Sequence, residues 1–196
     1  MKKSTLFLFP LLLALYESII YLSNDAYLPA LPQLADDFAI PNHLAQMTLT
    51  AWFLGSCSLQ LFLGPIADRY GRRPVLLGGA LTFILASIPC TLTTHINVFL
   101  IARFFQGASV AAMIVAGYAV VHEIFEHQKA IQALSWMNGI TILAPAFGPL
   151  FGSLLLYIVN WRWIFALLTF SAILTMVGLF FYMPETITAQ DKKPLQ

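Results

Sequence analysis

Residues 64–74 read Gly64-Pro65-Ile66-Ala67-Asp68-Arg69-Tyr70-Gly71-Arg72-Arg73-Pro74, which places one carboxylate and three arginines in a short hinge between two apolar runs. The runs, residues 44–67 and 75–92, carry no charge. Glycine and proline break a regular helix and let backbones approach closely, whereas arginine crosses a bilayer only at a high free-energy cost. The stretch therefore predicts a tight turn between two membrane helices on the cytoplasmic side. Its charge alone predicts no more than a basic loop that sets the topology.

The composition of the chain excludes an ordinary soluble domain. Charged residues make up 10% and apolar residues 59% of the 196 residues, and the mean hydropathy is +0.79. This leaves too little charge to solvate a globular surface, and a net charge of +1 gives no reason to expect a nucleic-acid partner. A spanning helix needs about 20 apolar residues. We therefore expect an all-α integral membrane protein that lies in the lipid bilayer.

Six transmembrane helices with short loops fit this length. They are predicted at residues 5–31, 44–66, 75–93, 98–121, 130–158 and 163–183. Residues 1–187 form one six-helix unit in this interpretation, and residues 188–196 form a cytoplasmic tail.

Lysine and arginine set the orientation, because they concentrate in cytoplasmic loops. Only Arg162 falls on the outer side of the predicted helices, and Arg103 lies inside the fourth helix. Both termini are therefore expected in the cytoplasm. Trp161, Trp163 and Tyr157 are expected to form an interfacial aromatic belt at the outer side. The basic residues on the predicted cytoplasmic side are Lys2, Lys3, Arg69, Arg72, Arg73, Lys129, Lys192 and Lys193.

The pair Gly64-Pro65 recurs 84 residues later as Gly148-Pro149. Such a recurrence favours two three-helix repeats related by inversion. Gly148 and Gly152 stand four residues apart and permit close helix packing, while Pro145 and Pro149 bend the fifth helix. By themselves these residues predict a packing face.

Three charged residues fall where charge is unfavourable. Glu17 lies about 16 Å past Leu6, near the bilayer midplane, and Asp25 lies about 12 Å further along the helix. An acid inside a membrane is a functional hypothesis by default. Arg103, about 8 Å deep, is expected to pair with Asp25, because an unpaired buried arginine is unfavourable. The alternatives are a neutral hydrogen-bonded Glu17, a helix-end role for Asp25 and an Arg103 that extends to the interface.

Glu17 has no predicted cation beside it, so it is the candidate group for proton exchange. Asp25 beside Arg103 is expected to stay ionised. A cationic or hydrogen-bonding ligand that displaces the proton from Glu17 would couple the two movements without any cofactor.

The segment from His122 to His127 raises the possibility of a zinc site. Its histidines stand five residues apart, whereas the helical H-E-x-x-H pattern requires four. The sequence contains no G-x-S-x-G elbow and no phosphate-binding loop. We therefore expect no metal site and no enzymatic activity.

Three motifs resemble signatures of the major facilitator superfamily. Residues 64–74 match its loop pattern G-x-[L/I]-A-D-R-x-G-R-R-P at every defined position. The run from Arg103 to Gly107 is similar to the helix 4 signature R-x-x-Q-G. Residues 148–153 resemble the antiporter signature G-P-x-x-G-G, although Ser153 replaces its last glycine and Ala144 replaces a frequent upstream glycine.

Further stretches resemble the drug/proton antiporter branch of this superfamily. Residues 24–32 resemble the end of helix 1 in chloramphenicol and bicyclomycin resistance exporters. Leu15-Tyr16-Glu17 looks like the same helix of Mdf-type multidrug exporters, and Pro184-Glu185-Thr186 is similar to the P-E-T that closes helix 6. The resemblance covers about residues 6–186, which implies the N-terminal six-helix half of such a transporter.

The resemblance implies proton-coupled efflux of lipophilic or cationic drugs by alternating access, in the inner membrane. The proton gradient would supply the energy, and no cofactor is implied. One half forms only one wall of a substrate cavity, so a second six-helix half or a second copy of this chain is the expected partner. A metabolite or sugar carrier of the same fold and a truncated, non-transporting membrane fragment are the alternatives.

The resemblance also assigns roles to individual residues. The implied substrate and proton-coupling groups are Glu17, Asp25, Arg103 and Gln106. The implied conformational latch consists of Gly64, Asp68, Arg69, Gly71, Arg72 and Arg73. The antiporter-like motif of helix 5 consists of Pro145, Gly148, Pro149 and Gly152.

Overall fold

The computed structural model describes residues 3–186, and the side chains from residue 8 onward. The predicted cytoplasmic tail, with Lys192 and Lys193, lies outside the described residues, as does Lys2. Across residues 3–186 the chain is helical and contains no strand. The helices are α1 (Lys3–Asp25), α2 (Leu31–Asp37), α3 (Asn42–Ser58), α4 (Gln60–Tyr70), α5 (Arg72–Leu92), α6 (Ile96–Ala112), α7 (Tyr118–Ile124), α8 (His127–Thr141), α9 (Leu143–Leu156) and α10 (Arg162–Tyr182).

Several of these helices join into longer apolar rods. A π-helical turn, Met113–Gly117, connects α6 to α7, and a break at Ile142 separates α8 from α9. In the described part of the chain, four segments are long and apolar enough to cross a membrane: 72–92, 96–124, 127–156 and 162–182. A fifth arises if α3 and α4, which meet at a bend of 44°, count as one span. The predicted all-α membrane architecture is thus confirmed, with four or five of its six spans meeting these criteria.

The first helix lies at the centre of the bundle. It packs against α8, α9 and α10, and Leu13, Ala14 and Tyr16 on it are fully buried. Its predicted end at residue 31 was wrong, because α1 stops at Asp25 and a 3₁₀ turn (Leu28–Ala30) and α2 follow. Proline cannot donate a helical hydrogen bond but suits a first turn. Pro29 and Pro32 occupy the starts of those two elements, which accounts for the break.

The charged hinge is shorter than predicted. The break between α4 and α5 is a single residue, Gly71, whose φ of 112° strongly favours glycine. Gly64 and Pro65 therefore lie inside α4 rather than in the turn, and Arg72 and Arg73 already belong to α5. The inverted relation of the two predicted three-helix repeats stays a prediction.

Candidate functional site

Glu17 is buried on α1, with 3% of its surface exposed. Its two carboxyl oxygens contact different helices. The Tyr118 hydroxyl lies 2.6 Å from Oε1, and the Thr141 hydroxyl donates to Oε2 at 3.0 Å. Among the described residues, no lysine or arginine lies within 4.0 Å of this carboxyl group.

A cavity of about 620 Å³ opens beside Glu17, between α1, the π-helical turn, α7, α8 and α9. This volume falls within the range of about 300–1,000 Å³ that is typical of small-molecule sites. Its wall is mainly apolar, with one carboxyl group, two phenols, one amide and one hydroxyl. The lining residues are Glu17, Tyr21, Ile114, Tyr118, Asn138, Thr141, Ile142 and Pro145.

Tyr118 reaches Glu17 because of the π-helical turn that directly precedes it. Such a turn inserts one extra residue and rotates everything that follows by about 100° relative to an uninterrupted α-helix. Sequence reasoning did not predict Tyr118, because nothing in the apolar run of residues 98–121 marks the insertion.

Asn138, Thr141 and Pro145 reach the cavity from the fifth predicted helix. They stand three and four residues apart, so they lie on one helical face. That spacing of two polar residues is a signal that sequence reasoning overlooked. Pro145 is the one member of the antiporter-like motif that lines the cavity.

Arg103 is fully buried on α6 but does not contact Asp25 in an ion pair. It donates hydrogen bonds to the Ser23 carbonyl at 3.0 Å and to the Asn24 amide oxygen at 3.0 Å. The guanidinium also stacks over the Tyr27 ring, 4.6 Å from its centroid. The predicted Arg103–Asp25 pair was therefore wrong. Adjacent helical residues point about 100° apart, so once Asn24 faces Arg103, Asp25 faces elsewhere.

Gln106 supports Arg103 from one turn further along α6. Its Oε1 accepts a hydrogen bond from Arg103 at 2.8 Å, and its Nε2 donates to Ser87 on α5 at 2.6 Å. Both Gln106 and Ser87 are fully buried. Gln106 thus holds the arginine in place and does not line the cavity.

Asp25 is half-buried at the end of α1, where α9 packs on it. A side chain on Gly148 would collide with Asp25, and one on Gly152 would collide with the carbonyl of Ala26. The antiporter-like motif therefore forms a close contact with the end of α1, as its small residues predict. Pro149 lies inside α9 beside this contact.

Arg72 connects three segments around the Gly71 break. Its side chain pairs with Asp68 at 2.8 Å and with Glu123 of α7 at 3.4 Å. Its backbone N–H donates to Glu185 Oε1 at 3.1 Å. Of the predicted latch residues, Arg72 thus contacts the end of α7 and the segment after α10, Gly71 lies against Glu185, and Asp68 pairs with Arg72 across the break.

The other two arginines of this region make different contacts. Arg73 donates a hydrogen bond to the Phe180 carbonyl at 2.5 Å. Its guanidinium also stacks over the Phe180 ring, 5.2 Å from the ring centroid. Arg69 stacks near Tyr70 at 5.5 Å. Gly64, inside α4, has no neighbour within 4 Å that a side chain would meet, so it takes no part in this cluster.

A second polar cluster joins α2 to the start of α10. Asp37 accepts hydrogen bonds from Arg162 at 2.7 Å and from the Trp161 indole at 2.9 Å. These two bonds lower the pKa of the Asp37 carboxyl below its usual range. Trp161 is only 1% exposed, so its predicted place in an interfacial belt was wrong, whereas Trp163 and Tyr157 are exposed.

Known proteins share the sequence and the fold of this chain. The sequence model of the Major Facilitator Superfamily matches residues 13–195. Multidrug resistance protein MdtM of Salmonella typhimurium is 38% identical over 186 residues, which is 95% of this chain and 45% of the relative. Chloramphenicol resistance protein CraA of Acinetobacter baumannii is 37% identical over 190 residues, covering 97% of this chain and 46% of the relative. Multidrug transporter MdfA of Edwardsiella piscicida is 37% identical over 185 residues, covering 94% of this chain and 45% of the relative.

Solved structures share the fold at much lower identity. The proton:xylose symporter XylE superposes with a TM-score of 0.81 at 16% identity, over 95% of this chain and 46% of the symporter. An inward-facing bacterial homologue of the human lysosomal transporter Spinster superposes with a TM-score of 0.79 at 14% identity, over 95% of this chain and 45% of the homologue. The chain spans just under half the length of the relatives it matches. Sequence and fold together show that this chain belongs to the major facilitator superfamily.

Proposed function

We propose that this chain forms the N-terminal half of a proton-coupled multidrug exporter, which moves lipophilic or cationic drugs outward by alternating access. The observation that carries the proposal is the cavity beside Glu17. A buried carboxyl group, which pairs with no lysine or arginine of the described residues, faces a mainly apolar space of about 620 Å³. Such a site accommodates either a proton or an organic cation on the same carboxyl group, and mutual exclusion of the two is the requirement for exchange.

Other features support parts of this proposal. The named relatives are multidrug and chloramphenicol resistance transporters. The cluster around Arg72 suits a latch that holds segments together in one conformation and releases them in another. The proton gradient would drive the exchange without a cofactor, and the basic residues would hold both termini on the cytoplasmic side of the inner membrane. Transport, rather than enzymatic chemistry, is the activity that this site supports.

A second half is expected to complete the cavity. Along α9, Phe147, Leu150, Phe151 and Leu154 are each more than 40% exposed, so this apolar face is available to another helical surface or to lipid. Either a separate six-helix half or a second copy of this chain would supply the opposite wall.

Direct binding separates this proposal from a sugar carrier. The purified chain is titrated in detergent with tetraphenylphosphonium, a lipophilic cation, and with xylose. We expect saturable binding of the cation, strong weakening in Glu17→Gln, and no change in Ser135→Ala, whose exposed hydroxyl donates to the Ile131 carbonyl of its own helix. Saturable binding of xylose with no binding of the cation would overturn the proposal.

A further inference from the structure

The Tyr118 hydroxyl contacts two oxygens and has one proton to give. Glu17 Oε1 lies 2.6 Å away, and Asn138 Oδ1 lies 3.0 Å away on the other side. A phenol donates a single hydrogen bond and can accept others. It therefore serves either Glu17 or Asn138 as a donor, never both at once.

The protonation state of Glu17 decides which of the two accepts the hydrogen bond from the Tyr118 O–H. An ionised Glu17 is acceptor-only and makes the stronger, charge-assisted bond, so it accepts the hydrogen bond from the Tyr118 O–H. Asn138 then satisfies the phenol oxygen by turning its amide so that Nδ2 donates. A protonated Glu17 instead donates from Oε1 to the Tyr118 oxygen, and the phenol O–H, which keeps its proton, donates its hydrogen bond to Asn138 Oδ1.

The two arrangements present different faces of Asn138 to the cavity. Asn138 is exposed on α8 and lines the cavity together with Glu17 and Tyr118. When its Nδ2 bonds to the phenol, its Oδ1 faces the open space as an acceptor. When its Oδ1 bonds to the phenol, its Nδ2 faces the space as a donor.

We propose that Tyr118 transmits the protonation state of Glu17 to the Asn138 amide, and that the cavity thereby selects between two ligand classes. With Glu17 ionised, the carboxylate and Asn138 Oδ1 recognise cations that carry N–H donors. With Glu17 protonated, Asn138 Nδ2 recognises neutral ligands that carry acceptor oxygens. This inference rests on the proposed function and adds Tyr118 and Asn138 as residues that determine specificity.

The surroundings of Glu17 leave few other routes for this signal. Besides Glu17 and Tyr118, the titratable group that lines the cavity is Tyr21 on α1. The described parts of α6, α9 and α10 contribute no hydrogen-bond or ion-pair partner to Glu17. Thr141 is the one alternative. Its hydroxyl lies 3.0 Å from Glu17 Oε2 and 3.1 Å from the Met137 carbonyl, so it too chooses between acceptors. That choice ends on a backbone carbonyl and does not reach the amide.

The test uses two probes on the purified chain in detergent: ethidium, a cation with amino donors, and chloramphenicol, a neutral molecule with nitro and carbonyl acceptors. At alkaline pH, Glu17→Gln imitates the protonated acid, because its amide donates to Tyr118. We expect it to tighten chloramphenicol binding by about three- to tenfold, the worth of one net hydrogen bond, and to weaken ethidium binding. Asn138→Asp, which removes the donor, should abolish the gain for chloramphenicol.

The decisive comparison repeats Glu17→Gln together with Tyr118→Phe. Without the phenol proton, Glu17→Gln should leave chloramphenicol affinity unchanged, although it should still weaken ethidium binding through lost charge. With Thr141→Val instead, the gain for chloramphenicol should persist. If the gain persists with Tyr118→Phe, or disappears only with Thr141→Val, the relay is overturned while the proposed drug site stands. If neither probe binds any variant, the proposed function fails together with this inference.

Discussion

Arg103 donates a hydrogen bond to the side-chain oxygen of Asn24 at 3.0 Å, and not to the carboxylate of Asp25, the next residue on α1. In the described chain the buried guanidinium is thus stabilised by neutral groups: an amide, a backbone carbonyl, Gln106 and two aromatic rings. Neither acid of α1 forms an ion pair with the arginine in this part of the chain. Asp25 stays at the helix end, and no described lysine or arginine pairs with Glu17.

Loss of the Asn24 oxygen is predicted to destabilise the protein. Asn24→Ala leaves one end of a fully buried guanidinium without an acceptor, which costs about 1–3 kcal/mol. Thermal unfolding of the purified chain in detergent measures the effect. Asp25→Asn is the matched control, since it keeps the size of the side chain that packs against Gly148, and the one side-chain hydrogen bond described for Asp25 is the 3.3 Å bond from Asn24, which an amide oxygen also accepts. A larger loss of thermal stability from Asp25→Asn than from Asn24→Ala would contradict this arrangement and indicate an Arg103–Asp25 ion pair.

The contact between α9 and the end of α1 should tolerate no side chain. In Gly152→Ala the new methyl group would overlap the Ala26 carbonyl, so α9 must move away from α1. Overpacking of this kind costs about 1–3 kcal/mol. Gly139→Ala on α8 is the control, because nothing lies within 4 Å of the added atom and alanine favours a helix. Equal melting temperatures for both variants would show that this contact is not close.

The Asp37 cluster predicts a specific acid dependence of stability. Its pKa in the folded state is lowered by Arg162 and Trp161, so the stabilisation is complete above the unfolded value of about 3.9 and is lost as pH falls through the lower folded value. Asp37→Asn should therefore lower the melting temperature near neutral pH and flatten its decline below about pH 4. Because the Asp37 side chain is 46% exposed, the effect should stay under about 1 kcal/mol.

Asp36→Asn provides the control for that measurement. Asp36 is exposed beside Asp37, and no ion pair to it occurs in the described part of the chain. If the melting temperature of Asp37→Asn falls as steeply at low pH as that of the unmodified protein, the Asp37 contacts are not the cause of the acid dependence.

The sequence marked the charged residues inside the helices but did not predict their partners. Glu17, Asp25 and Arg103 stand out because charge is rare in membrane helices. Their partners depend on the rotation of each helix, and a single step along α1 exchanges Asn24 for Asp25. Tyr118 was missed because its position depends on a π-helical turn that leaves no mark in an apolar run. Hydrophobic runs do not encode rotation about the helix axis.

The boundaries show a similar limit. The apolar runs located the helices, but the hinge predicted at residues 64–74 is only Gly71 in the structure. One residue with positive φ is enough for the turn. Pro74 marks the first turn of α5 and not the loop, because the first helical positions need no N–H partner. Composition placed this segment correctly between two helices and only its extent was wrong.

Proton release on drug binding tests the role of Glu17 most directly. The purified chain, in weakly buffered detergent with a pH indicator, receives tetraphenylphosphonium at a pH where Glu17 carries its proton. We predict that binding releases protons, that Glu17→Gln abolishes the release while the thermal unfolding curve stays cooperative, and that Ser135→Ala releases as many protons as the unmodified chain. Undiminished proton release from Glu17→Gln, with the cation still bound, would contradict the assignment of Glu17 as the group that proton and drug share.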